Sequence, residues 1–425
     1  MFRFEFDKFR RQRLFLAAAV LTLLLIYLLS AFGGIVMMAE WKWNLNTFWN
    51  DKEYRREVLS RKVETIDSAW IQKVQEEYHT FVDENRRTDE EIRLFMDEWY
   101  GESGPAAGED APEYESVIAD PYNYSYAYLV LNEDAYYSNR LEYFDEAFRF
   151  YIPLAQDAPA YLRDRWEHEE NTGYSRRQLS DREQLADSVF ENFTPVTGSS
   201  CGWDVLICAG QNLPYTLGLA LLAVLCTSFS TERAFSMRPL LRTARKGRNR
   251  LAAVKLARAW LITTILWGIF QFSILITAAL AYGLEGADVT VMYLAVPSIY
   301  GLSNLQYYMI QTVFSYFGTL TFGLFVCLLS CLLPLRVSLP LGLVFTLITG
   351  YPNQSFAFSD QCFDLWEKIA ALSQAQLMSA FTTLQTYQSY DIGICLIRLP
   401  AASAAAIAAE LIVMAVLIFR MEGGK

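Results

Sequence analysis

The chain has 425 residues, 53% of them hydrophobic and 15% aromatic, with a formal net charge of −11 at pH 7. Its apolar residues are gathered in blocks, which excludes a single soluble globular body, and its acidity argues against nucleic acid as a partner. With two histidines, His79 and His168, no local His-based metal motif is expected.

Residues 1–13 carry Phe2, Phe6 and Phe9 at helical spacing among Lys8, Arg10, Arg11 and Arg13. That stripe suits an amphipathic helix on the cytoplasmic membrane face, with an ordinary positive flank as the plainer reading. The apolar run 14–38 follows. It is longer than a signal-peptide core and lacks an A-x-A site, so an uncleaved first span is expected.

Residues 39–212 form an acidic domain. Glu40 to Asn212 contain 36 Asp plus Glu against 17 Lys plus Arg, so the rest of the chain is net basic. Val63, Ile66, Trp70, Val74, Tyr78 and Phe81 recur at three- and four-residue intervals and predict helix. A Gly/Pro/Ala linker at 101–112 suggests two helical sub-bundles, with 127–131 the one modest strand. The tyrosine-rich stretch 114–151 reads as a binding face for peptide or sugar, or equally as core packing.

Further apolar runs lie at 213–230, 259–282, 307–332, 335–351 and 396–419, each near the ~20 residues that cross a core about 30 Å thick. Pro334 and Pro340 predict a hairpin between the fourth and fifth rather than one long helix. Between the second and third, residues 231–258 hold nine Lys or Arg against Glu232 alone, and the positive-inside rule places them in the cytoplasm. Arg336 and Arg420 fall on the same side, and the cation-free 285–306 loop falls outside. The expected fold is an all-α membrane protein: six transmembrane helices, both termini inside, and a large, mostly helical extracytoplasmic domain between the first two. The last outer loop, 352–395, is too polar for a seventh span and suits short re-entrant helices covered by protein.

Chemistry is sparse. No G-x-x-x-x-G-K-[ST] run exists to cradle phosphates, and His168-Glu169-Glu170 is not completed to H-E-x-x-H. The chain is read as no enzyme, with no metal and no bound cofactor. Three intramembrane polar residues stand out: Glu410, Gln271 and Gln311. A carboxylate in a span must find a partner or protonate, which makes Glu410 a substrate-path or gating residue, or a hydrogen-bonded helix contact. Cys201, Cys208, Cys362 and Cys395 fall outside the spans and allow three disulfide pairings, or none.

The topology and the basic loop together resemble the permease subunits of ABC-2 type transporters. The loop presents Glu232-Arg233, Leu240-Leu241-Arg242-Thr243, Gly247-Arg248 and Lys255 in the order usual for that family, although Ala244 stands where a Pro commonly follows the Thr. The resemblance covers the membrane part and leaves 39–212 unmatched. It implies a coupling element (Glu232, Arg233, Leu240, Leu241, Thr243, Arg245, Gly247, Arg248 and Lys255) that docks on a separate ABC ATPase using ATP and magnesium. It further implies a homodimer, or a heterodimer with a second permease, exporting a peptide, antibiotic or lipid-like substrate across the plasma membrane. The alternatives are a sensor or resistance module that recognises an extracellular peptide without transport, and a secondary transporter.

Overall fold

The computed structural model describes residues 19–29, 52, 56, 59–100, 106, 111–168, 174–191, 193–234, 247–293, 296–350, 369–380, 383–384 and 387–423. The expected amphipathic helix at 1–13 lies outside them. Helices dominate, joined by three two-stranded antiparallel ribbons.

Helix α1, Ala19–Leu29, is the described part of the first apolar run. Its Tyr27 is buried against Phe270, ring centroids 5.3 Å apart. The interposed domain opens with β1, Glu64–Thr65, and α2, Ser68–Asn85. Asp67 caps α2 by accepting the Trp70 amide at 2.9 Å, which satisfies one of the helix's orphan donors. Trp70, Val74, Tyr78 and Phe81 are buried as their spacing predicts, whereas Val63, just before β1, is exposed. Helix α3, Asp89–Tyr100, starts on a capping box in which Thr88 and Glu91 exchange hydrogen bonds.

Two expectations for this domain are corrected. Residues 127–131 are not a strand: Ala127–Val130 is a helical turn, and Leu131 makes one isolated bridge to Arg86. Nor do the described residues divide into two sub-bundles. The tyrosine-rich segment folds back on α2, with the Tyr78 ring meeting Tyr124, Phe144 and Phe148 at 5.0–6.1 Å. A single core runs from Ile66 to Phe190. The other helices used below are α4, Asn139–Glu146, α5, Ala158–His168, and α6, Arg176–Phe190. Strand β2, Val196–Thr197, pairs with β1, so the two ends of the domain leave side by side.

Among the described residues, four helices are long and apolar enough to cross a membrane. These are α7, Cys201–Ser230, α8, whose spanning part is Arg250–Tyr282, α9, Asn304–Leu332, and a last helix spanning Leu399–Met421. The shorter α10, Leu335–Gly350, follows α9 after a break at Leu333 and Pro334. The helix continues through Pro340, contrary to the expectation that both prolines interrupt it. Pro340 is exposed, and it withholds only one donor, from the Arg336 carbonyl near the helix start.

Helix α7 begins twelve residues earlier than the apolar run at 213–230 suggests. The run Trp203–Ile207 is buried and helical, and Pro214 is accommodated because it restarts the helix in its first turn. The apolar window of α7 is 78% buried, against 28% for α8 and for the last helix, which makes α7 the central strut. Peripheral faces expose Trp260, Ile265, Phe272, Ile276 and Leu280 on α8 and Met309, Val313 and Phe317 on α9. Contiguous apolar faces of this kind belong against lipid rather than water.

The segment 283–303, containing β3, Met292–Tyr293, and β4, Val296–Pro297, bridges the two halves. Thr290 exchanges hydrogen bonds with Val196 through its amide and hydroxyl, and Trp203 donates to the Leu284 carbonyl at 3.1 Å. Ile299 joins the domain's own core.

Candidate functional site: a buried polar seam and its clamp

After α10 the described chain resumes at residue 369 and forms α11, Gln374–Ser379. This short helix is buried among the long ones rather than lying on them: Ala375, Gln376, Leu377, Met378 and Ser379 are all within the core. Its seat is prepared by Gly318 in mid-α9, where an added Cβ would lie 2.0 Å from the Leu377 carbonyl oxygen. Ser373 caps its start, and Ala380 ends it in the left-handed region at φ 50°. Gln376 donates to the Thr349 carbonyl of α10 at 2.9 Å.

Irregular backbone at membrane depth persists only where protein covers it. Helix α9 supplies that cover twice. Where α7 tightens into a 3-10 turn at Gly210–Asn212, the amide of Gln311 donates to the Ile207 carbonyl at 3.0 Å. Where α7 breaks again at Cys226, the Ser330 hydroxyl donates to its carbonyl at 2.7 Å. Gln311, singled out from sequence, therefore holds α7 to α9.

The last helix, α12, Leu399–Gly423, carries Glu410 eleven residues beyond its first, roughly 17 Å along the axis. The Glu410 carboxyl is within hydrogen-bonding reach of Gln374 of α11 and of Thr321 of α9, whose hydroxyl donates to the Gly318 carbonyl at 2.7 Å, and among the described residues the Glu410 Oε2 has no partner. Ser403, two turns earlier on α12, is buried with its hydroxyl unpartnered. The Oε1 atoms of Gln311 and Gln376 and the Ser379 hydroxyl are likewise buried and unpartnered. Three of the five are acceptor oxygens and two are hydroxyls that can also donate, arranged on α9, α11 and α12. Such a seam favours ligands, ions or waters that donate hydrogen bonds. Gln271 is not part of it; the residue is half-buried on α8.

Just before α12, a hairpin of β5, Ser389–Asp391, and β6, Leu396–Arg398, receives the interposed domain. The start of α6 is aimed at it. Gln178 closes a capping box with Ser175 and donates to the Ser389 carbonyl at 2.7 Å. Ser175 donates to Asp391 at 3.0 Å, and Arg177 donates to the Gly393 carbonyl at 2.9 Å. Asp181 accepts from Arg398 Nε at 2.9 Å and Nη2 at 3.0 Å, and the Tyr387 hydroxyl lies 2.8 Å from its Oδ2. The Arg398 hydrogen bonds, aided by Tyr387, hold the Asp181 carboxyl below the usual carboxylate range and raise Arg398 in turn.

The coupling residues read from sequence are only partly described. Glu232 and Arg233 lie in the helical tail Thr227–Ala234 of α7. Gly247 and Arg248 open the α8 helix, Gly247–Tyr282, and Leu240, Leu241, Thr243 and Arg245 lie outside the described residues. The expected loop 231–258 is shortened by α8, because Leu251 to Trp260 is a run of good helix formers. Lys255 and Arg258 are consequently buried, at 2% and 9% exposure, and the Lys255 ammonium sits 4.4 Å from the centre of the Phe229 ring. Lys255 thus packs within the bundle instead of presenting itself to a partner.

Cys201 and Cys208 share α7, seven residues and about 10 Å of rise apart, too far to bridge each other. Cys395 is an exposed thiol on the β5–β6 hairpin, and Cys362 lies outside the described residues. Among the described residues, no cluster of His, Cys, Asp or Glu could hold a metal. No family model matches the chain, and neither a curated protein nor a solved structure does.

Proposed function

We propose that the chain is the permease subunit of an ATP-driven exporter of the ABC-2 type, set in the plasma membrane with both termini inside and the interposed domain outside. In this reading α1 and α10 complete six spans with the four long helices. The observation that carries the reading is α11, a short helix buried among the long ones with its Gln374 within reach of Glu410, and buried polar residues of α9 and α12 beside it. A peptide, antibiotic or lipid-like substrate would pass along such a seam, within a homodimer or against a second permease. The basic residues 231–248 would dock on the ATPase, and closure of two ATPases would move α7 and α8, between which that segment runs.

The test is a mild-detergent pull-down of the tagged protein, with mass spectrometry and ATP hydrolysis on the eluate. A stoichiometric P-loop ATPase supports the exporter. Its absence, at a yield where a partner is visible, favours a sensor that binds an extracellular peptide. That second reading draws on the clamp, which ties the domain to α12 whether or not cargo moves.

A further inference from the structure

A cavity of about 270 Å³ opens where the interposed domain meets the start of α7. Its walls come from three parts of the chain: the β1–β2 neck with residues 197–201, one face of α2, and the segment from α4 to Tyr151. Trp70, Phe144 and Tyr151 form its apolar base and are buried, while the Tyr143 ring stands half-exposed beside them.

Both charges line it. Arg61, Lys62, Lys73 and Arg140 supply the cations, and Glu64, Glu77 and Glu146 the anions. The three carboxylates all act on the Tyr143 hydroxyl, which burial, Glu77, Glu64 and Glu146 push up to about 12 against the opposing pull of Arg61. The Tyr143 ring already seats a cation of the chain itself. The Arg61 guanidinium lies 5.1 Å from the centre of the same ring, and Lys73 pairs with Glu64 at 3.3 Å. A lone cation would meet four like charges here and a lone anion three. A ligand carrying both is matched at each end.

Size and place narrow the class. The volume falls just under the roughly 300–1,000 Å³ that houses drug-sized ligands, so it suits a headgroup rather than an acyl chain or a folded peptide. Helix α7 is 30 residues long and therefore rises about 45 Å, the full thickness of a bilayer with its polar layers. Its first residue, Cys201, is part of the cavity wall, which sets the cavity at headgroup level. We propose that this cavity binds the phosphate–ammonium headgroup of a zwitterionic phospholipid, phosphate toward its Arg and Lys side chains and ammonium toward Glu77 and Glu146. The proposal rests on the membrane placement of α7 and not on the ATPase, so it stands or falls separately from the exporter reading.

The test is calorimetric titration of the full-length protein in maltoside micelles with short-chain phosphatidylethanolamine. Phosphatidylglycerol of the same chain length and free phosphoethanolamine are the comparison ligands. Phosphatidylethanolamine should bind at least tenfold more tightly than either. Glu77→Gln should weaken it about tenfold while leaving phosphatidylglycerol unchanged, and Lys73→Gln, at an exposed position, should weaken both lipids without lowering the unfolding temperature. Equal affinity for the two lipids, or indifference to both substitutions, overturns the site. Free phosphoethanolamine binding as tightly as the lipid overturns the lipid as its source.

Discussion

Asp181 and Arg398 are 217 positions apart in sequence and meet through two parallel hydrogen bonds of 2.9 and 3.0 Å. Arg398 is the last residue before α12, so this pair fastens the interposed domain to the helix that carries Glu410. A force applied to α6 reaches the polar seam through one residue and three turns of helix. Asp181→Asn should cost about 1.5–3 kcal/mol, the range for a charge-assisted hydrogen bond, read as lower denaturant resistance of the full chain. Arg398→Gln should cost a similar amount, and the double variant should cost less than the sum because the two residues share one interaction. Additive losses would show that each acts alone.

The same pair sets a pH dependence. The folded Asp181 carboxyl is depressed below its unfolded value, near 3.9, so its contribution is complete above that value and disappears as pH falls through the folded one. Asp391 is depressed in the same direction, first by the Gly393 amide and then by the Ser175 hydroxyl. Spin labels on α6 and on the β5–β6 hairpin should hold a constant separation from pH 8 to about 5. The separation should broaden below about 4. Broadening already at neutral pH would assign the clamp to other forces.

Gly318 tests how α11 is seated. Gly318→Ala puts a methyl group 2.0 Å from the Leu377 carbonyl oxygen, and because the obstacle is backbone, α11 must shift. A loss of about 1–3 kcal/mol is expected, as for other overpacked cores, together with faster labelling of a cysteine placed at Met378. Gly268→Ala on α8 is the control. Nothing lies within 4 Å of its new methyl group, and helix propensity alone should leave stability equal or up to about 1 kcal/mol higher.

Local periodicity made α2 legible, since Trp70, Val74, Tyr78 and Phe81 mark its buried face without outside help. The run Ala127–Leu131 was ambiguous because four of its five residues are buried, and a short apolar run shows no clear period. The start of α7 was hidden by Gly210, Asn212 and Pro214, which read as a break until Gln311 of α9 is seen covering it. Lys255 and Arg258 resemble loop charges for the same reason: the Phe229 ring that receives Lys255 lies 26 residues away. Glu410 and Gln311 could be picked out as polar residues in apolar runs. Asp181 and Arg398 could not, because each looks like an ordinary solvated charge until the fold joins them.

For Glu410 the informative change is to Gln. It keeps an acceptor for Gln374 and removes the ionisable oxygen, so expression and unfolding temperature should stay near those of the parent. Transport, or ATPase activity stimulated by substrate, should change several-fold. Glu410→Ala should lower stability as well, because Gln374 loses its acceptor. Unchanged activity in Glu410→Gln would make the carboxyl a helix contact only.

Charge reversal separates the basic residues proposed to dock on an ATPase from the buried Lys255. Arg245→Glu and Arg248→Glu should weaken association with the ATPase at least tenfold, as loss and repulsion of paired charges does at protein interfaces. Membrane insertion should persist, because the remaining cations of the segment still oppose translocation. Lys255 should behave otherwise. Its ammonium packs on Phe229 inside the bundle, so Lys255→Gln should lower the unfolding temperature of the isolated protein and leave ATPase affinity within about twofold. A Lys255 variant that folds normally yet fails to bind the ATPase would move the docking surface onto α8, and unchanged binding by the two arginine variants would remove them from it.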